Sequence, residues 1–183
     1  MMAFASVLYS ADVVVYPRTT GYPYSAPAPK TGQKISYAAR DDGWMGTNTG
    51  VTLPVTRFTI QTNTNCIRDN LTGLIWARNA NQFGLCNWGA AITNCNTLNY
   101  GGQTDWRLPN RAELWSLVDS GYANPCLSSG HPFANIAAGL YWSSTTHASA
   151  ATYALVVDFN GGQASWILKT TGDSQIVWPV RGP

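Results

Sequence analysis

The sequence predicts an α+β domain, in which two short amphipathic helices precede an antiparallel, hairpin-rich sheet. Three observations carry that prediction. Behind Asn87, apolar residues recur at Trp88, Ala91, Ile92, Cys95 and Leu98, a spacing close to 3.6, so residues 88–98 read as a helix with Asn87 as its N-cap. Asn110 is followed three positions later by Glu113, the pattern of a capping box. The helix it opens would bury Leu114, Trp115, Leu117 and Val118 and stop before Gly121, while Pro109 disfavours an earlier start. The run 153–158 leads into Asn160-Gly161-Gly162 and returns over 163–168, a strong hairpin signal. Helices followed by hairpin-connected strands define the α+β class.

The rest of the chain divides in order. Residues 1–11 are apolar and end on Ser10-Ala11, which reads as the remnant of a secretory signal whose charged start is missing. The alternative is a first strand over residues 4–15. Residues 12–30 form a Pro-rich arm carrying Pro17, Pro23, Pro27 and Pro29, a composition that favours extended, polyproline-like backbone. At its start, Val13-Val14-Val15-Tyr16 has the character of an edge strand able to pair with another chain. The folded domain is expected over 31–183. Within it, residues 74–77, 140–144 and 176–180 read as further strands. Along 163–168, Ala164, Trp166 and Leu168 share one face.

Composition narrows the function. The chain has 183 residues, enough for one domain with a real core. Charged residues make up 11% of it, against about 25% in an average soluble protein. Asn, Thr, Ser and Gly take their place, giving a neutral, hydrogen-bonding surface. Net charge is +2 with no run of Lys or Arg, which argues against nucleic-acid binding. No apolar stretch is long enough to span a bilayer. Four cysteines, an even number, suit an oxidising compartment, and the absence of CxxC or Cys/His ligand spacing argues against zinc. Four cysteines allow three pairings; a local Cys86–Cys95 bridge is one component of the reading.

Five segments in fixed order resemble one bacterial extracytoplasmic family. They are Asp69-Asn70-Leu71-Thr72-Gly73-Leu74-Ile75-Trp76, Asp105-Trp106-Arg107-Leu108-Pro109-Asn110-Arg111-Ala112-Glu113-Leu114, Ser129-Gly130-His131-Pro132-Phe133, Tyr141-Trp142-Ser143-Ser144-Thr145 and Val177-Trp178-Pro179-Val180-Arg181. This set is similar to the Lcl C-terminal domain family, typified by the C-terminal domain of a collagen-like bacterial adhesin. The resemblance implies a C-type-lectin-like fold, with two helices flanking a twisted antiparallel sheet and long loops projecting from one side. It implies a structural role for Trp76, Trp106, Arg107, Pro109, Glu113, Trp142, Trp178 and Arg181. Arg107 and Arg181 lie beside aromatic core residues and need carboxylate partners, for which Asp105 and Glu113 are the candidates. Cys66 and Cys126 both depart from the family pattern, and their joint departure suggests a Cys66–Cys126 bridge.

The resemblance also implies a secreted or surface-displayed, non-enzymatic binding or adhesion module. Its ligand would be a glycan, a polysaccharide or a protein surface at the cell exterior. The expected face joins the segment after Trp142 to the late hairpin: Thr145, Thr146, His147, Tyr153, Asn160, Gln163, Trp166 and Lys169. Tyr153 and Trp166 would stack on a ligand, with His147 and Lys169 adding polar or charged contacts. Strand alternation predicts that about half of the eight are buried. The alternative function is a structural subunit of an extracellular assembly, a homo-oligomer joined through the N-terminal strand and arm. No cofactor is expected. Calcium is the one ion left open, although the carboxylate-bearing tripeptides of calcium-dependent lectins are missing from the sequence, which argues against a calcium-bridged sugar site. Catalysis is not expected either: His131 and His147 are the only histidines, no Gly-x-Ser-x-Gly elbow is present, and no cysteine follows Cys126.

Overall fold

The structure is a computed structural model and describes residues 30–39, 41–45, 53–170 and 175–182. The expected signal remnant and almost all of the Pro-rich arm lie outside the described residues. Element order is α1 (Asp42–Met45), β1 (Phe58–Ile60), β2 (Cys66–Asp69), β3 (Ile75–Ala77), β4 (Leu85–Cys86), α2 (Trp88–Asn96), α3 (Arg111–Trp115), β5 (Leu140–Thr146), β6 (Tyr153–Asp158), β7 (Gln163–Leu168), β8 (Gln175–Ile176) and β9 (Val180–Arg181). The domain is α+β. No helix among the described residues is long and apolar enough to cross a membrane.

Local sequence explains both mid-chain helices. Asn87 caps α2 by accepting a hydrogen bond from the Ala90 N–H, and the helix ends at Asn96, two residues short of the expected end, with Thr97 as its C-cap. Asn110 and Glu113 form a complete capping box on α3, with side-chain-to-backbone bonds of 2.9 and 2.8 Å. That helix is a turn and a half long. Leu114 and Leu117 point into the core, but Trp115 between them lies on the flank and is 40% exposed, contrary to the expected buried face.

The strands form two sheets rather than the expected one. The first has the order β1-β2-β3-β9 and the second β4-β8-β5-β6-β7. Every ladder is antiparallel except the single β5–β8 pair, Tyr141 with Ile176. The expected strand over 176–180 is therefore two strands. Gln175–Ile176 joins the five-stranded sheet, residues 177–179 cross, and Val180–Arg181 joins the four-stranded sheet. Strands β1, β2 and β4 are only two to four residues long and escape periodicity analysis.

Two packed clusters fill the interior. One gathers Trp76, Trp106, Phe133, Tyr141, Phe159 and Trp178 between the sheets, with Leu114 and Leu117 of α3. The other lies between α2 and the opposite face of the second sheet and contains Ala91, Cys95, Leu108, Trp142, Val156 and Val177. Trp178 meets Trp76, Phe133, Tyr141 and Phe159 at ring-centroid distances of 4.8 to 5.8 Å. Its indole N–H donates to the Ala77 carbonyl at 2.8 Å, so the ring is buried without an unmet donor.

Charged motif residues are paired. Arg107 donates to both oxygens of Glu113 at 2.7 and 2.8 Å and to the Gly182 carbonyl. Arg181 grips Asp105 at 2.6 and 3.0 Å. Buried Arg57 donates to the Ser116 carbonyl and lies 3.5 Å from the fully buried carboxylate of Asp69. Asp69 also accepts from the Leu71 N–H and the Thr72 hydroxyl, which folds the turn between β2 and β3. Pro109 ends the segment before the capping box, and its carbonyl accepts from Ser144 N–H of β5.

The expected Cys86–Cys95 and Cys66–Cys126 bridges are not formed, and all four cysteines are free thiols. Cys66 lies on β2 beneath Gly101, whereas the Cys126 thiol donates to the Asn160 carbonyl at the β6–β7 turn. These two have separate surroundings. Cys86 and Cys95 share the second cluster, where burial, with Cys86 adding, pushes the Cys95 thiol up to about 12.

Replacing Trp178 by Ala removes the largest shared contact of the two sheets and should lower stability by about 3–5 kcal/mol, measured by urea unfolding. A second outcome concerns acid. Burial alone would raise the Glu113 carboxyl, but the Arg107 guanidinium and the Asn110 N–H outweigh it and hold it below its ordinary 4.5. A depressed carboxylate contributes stability above its unfolded pKa, and that contribution is lost as pH falls through the folded value. Glu113→Gln should therefore be less stable than the parent at pH 7, and the gap should close in melts run well below pH 4.

Candidate functional site

The late hairpin places its strands at the margin of the second sheet. Asn160-Gly161-Gly162 makes the turn: Asp158 accepts from the Asn160 N–H at 2.8 Å, and Gly162 takes a φ of +66°. That left-handed backbone suits glycine, and a Cβ there would also press within 3.3 Å of the Cys126 sulfur. Strand β7 pairs with β6 along its whole length and is last in the sheet order. Position at the margin leaves its first four residues exposed.

Cross-strand register sorts the candidate residues by face. Trp166 pairs with Leu155, and Val157 two residues on packs with α3 residues Leu114 and Leu117. Trp166 therefore faces the α3 side. Thr146 pairs with Ala154, whose side chain enters the cluster beneath α2, so Thr146 faces the α2 side. Between Trp142 and Thr146 the β5–β6 register shifts, inserting extra residues into β5.

On the α3 side, His147 lies against Trp166 with ring centroids 5.4 Å apart. The His147 Nδ1 is 3.3 Å from the Ser149 hydroxyl. The His147 backbone N–H donates to the Tyr153 carbonyl, closing the β5–β6 turn. Thr145 accepts from the first N–H of α3, that of Arg111, at 3.0 Å. Trp166 is 58% exposed, and Trp115 stands out from the helix that covers this same side. On the α2 side, Lys169 donates to the Thr146 hydroxyl at 2.8 Å and holds its ammonium 4.1 Å from the Trp88 ring centre. The Trp88 N–H in turn donates to the Ser143 carbonyl.

The eight residues thus form no single patch. His147 and Trp166 meet, with Thr145 and Tyr153 on adjoining backbone. Thr146 and Lys169 meet each other on the far side, and Lys169 is engaged by Trp88 instead of reaching toward Trp166. Asn160 and Gln163 sit at the turn end; Gln163 is three residues, about 10 Å, from Trp166. None of the eight is buried, contrary to the expected half, because a marginal strand and a turn have few neighbours to cover them. Sequence reasoning missed Trp88 and Trp115, which it assigned to helix core; the position of Trp88 at the first turn of its helix was the available signal.

Ser143 is fully buried and donates to the Leu155 carbonyl, so its hydroxyl is committed to the sheet and not to His147. His131 packs on Phe133, and burial lowers its pKa. Among the described residues no group of three or more His, Cys, Asp or Glu side chains gathers as a metal site requires.

A family model described as the Lcl C-terminal domain matches residues 65–181, more than half of the chain. The chain belongs to the Lcl C-terminal domain family. The match takes in β2 through β9, both packed clusters and the late hairpin. The segment 30–39, α1 and β1 precede the matched Lcl C-terminal region. Comparison with the curated proteins finds no match.

Proposed function

We propose that this protein is a secreted or cell-surface, non-enzymatic binding module that recognises a glycan or polysaccharide through the Trp166 face. One observation carries the reading: a large indole stands 58% exposed on a marginal strand, braced by the His147 ring. An isolated apolar side chain needs no explanation, but this one lies against the His147 ring, whose Nδ1 is 3.3 Å from the Ser149 hydroxyl, and it shares its side of the sheet with Trp115. The flat face of a Trp suits the C–H face of a sugar ring, and the neighbouring hydroxyls suit its rim. The neutral surface, with 11% charged residues, fits recognition by stacking and hydrogen bonds.

The fold that best accommodates these features is C-type-lectin-like. The pairing of β3 with β9 supports it, since it sets the last strand of the family-matched region beside one of its first. Binding in this reading requires no metal.

An array of glycans and polysaccharides, run with the full chain in calcium and again in chelator, tests the proposal. Binding should survive chelation. Trp166→Ala should weaken it about tenfold, since aromatic contacts contribute about 0.5–1.5 kcal/mol beyond area and 1.4 kcal/mol is tenfold. Its unfolding free energy should stay within about 0.5 kcal/mol of the parent, as for other surface changes. Unchanged affinity in the folded variant would remove the Trp166 face from the account.

A further inference from the structure

We propose that the cleft between residues 33–37 and the 120–123 loop is a second binding site, taking a neutral pyranose sugar. None of its lining residues belongs to the Trp166 face; its 120–123 wall adjoins the β6–β7 turn, where the Asn124 N–H donates to the Asn160 carbonyl, and its other wall precedes the family-matched region.

The cleft has a volume of about 500 Å³, within the span of roughly 300–1,000 Å³ typical of small-molecule sites. Its walls are fixed to each other. The Ser120 N–H donates to the Thr31 carbonyl at 2.7 Å. Gly121 approaches the Gly32 carbonyl so closely that a Cβ would lie 2.4 Å from that oxygen. Gly32, at a φ of +88°, has Asp119 where its own Cβ would be. Only two glycines permit this crossing. The outer wall is shaped by Asp41, which accepts from the N–H groups of Tyr37, Ala38 and Trp44 and turns the chain back on itself.

Two phenol rings flank the space. Tyr37 is 81% exposed with its backbone held by Asp41. Tyr122 is fixed by Lys34, whose ammonium donates to the Tyr122 hydroxyl at 2.9 Å and lies 4.0 Å from the ring centre. That hydrogen bond raises the Lys34 ammonium and lowers the Tyr122 phenol, a mutual commitment that leaves the cation occupied. The Asp119 carboxylate acts on the same ammonium from behind Gly121. Among the described residues no carboxylate lines the cleft, and the one lining cation is engaged, an arrangement that favours a neutral ligand. Gln33 and Ser120 are the neutral polar residues lining the cleft beside the two rings; the Gln33 amide nitrogen donates to the Ile35 carbonyl at 2.9 Å, which leaves its second N–H and its oxygen for a ligand. Rings for stacking and uncharged groups for hydroxyls describe a neutral sugar.

The cleft does not depend on the Trp166 reading, and one experiment separates them. Maltotetraose, cellotetraose, laminaritetraose and chitotetraose are titrated into the full chain and followed by saturation-transfer NMR. The parent, Tyr37→Ala, Tyr122→Phe and Trp166→Ala are compared, with tetragalacturonic acid as the acidic control. At least one neutral tetrasaccharide should bind with an affinity that falls roughly three- to tenfold in Tyr37→Ala, less in Tyr122→Phe, and persists in Trp166→Ala. Because Tyr37 is exposed, its loss leaves the core intact. Binding that Trp166→Ala abolishes and Tyr37→Ala leaves unchanged would overturn the cleft and spare the Trp166 face. Tyr37-dependent binding of the acidic tetramer alone, or no binding by any neutral sugar, would also overturn it.

Discussion

The burial of Trp178 holds the two sheets in one body. The last strands change sheets within a few residues, and Trp178 sits at the crossing, its side chain in the cluster between the sheets while Val177 beside it enters the cluster under α2. Five aromatic rings meet there: Trp76 and Phe133 meet Trp178 edge-on, as the quadrupole of an aromatic ring favours, and Tyr141 and Phe159 meet it tilted. The hydrogen bond from Trp178 to the Ala77 carbonyl joins residues 101 apart in sequence. Short strands such as β1, β2 and β9 have little intrinsic persistence; they exist because this crossing brings β9 to β3.

A scaffold pinned in this way leaves its margins free to carry recognition. Strand β7 is last in its sheet and has α3 over one side of the neighbouring strands and α2 over the other. Strand alternation then sends Trp166 to one side and Lys169 to the other. Lys169 ties the margin to α2 through Trp88 and to β5 through Thr146, which steadies the strand whose other face presents the indole. The cleft beside Tyr122 follows the same logic at another margin, where a crossing of two glycines brings an early segment against a loop.

Much of this was legible where the controlling interactions are local. Asn87 and the Asn110–Glu113 pair mark helix starts because a cap needs only neighbours within one turn. Asn160-Gly161-Gly162 marks the hairpin because left-handed backbone needs glycine. The motif set named the family because those residues meet in the core irrespective of surface chemistry. What escaped depends on distant partners. The split of 176–180 between sheets, the burial of Arg57 by Asp69, and the free state of the cysteines all follow from contacts that no local pattern reveals. The candidate face was half legible. His147 and Trp166 come together, but the bulge in β5 and the register of β7 decide which side each residue faces, and neither shows in the sequence.

The most direct test follows the indole N–H signals of the eight tryptophans by ¹H–¹⁵N NMR as a bound oligosaccharide is titrated into the full chain. The account predicts that the Trp166 signal shifts with saturation while those of Trp76, Trp142 and Trp178 stay fixed, as a rigid core beneath an exposed platform requires. A ligand that binds without moving the Trp166 signal, or that moves the Trp178 signal instead, would contradict it.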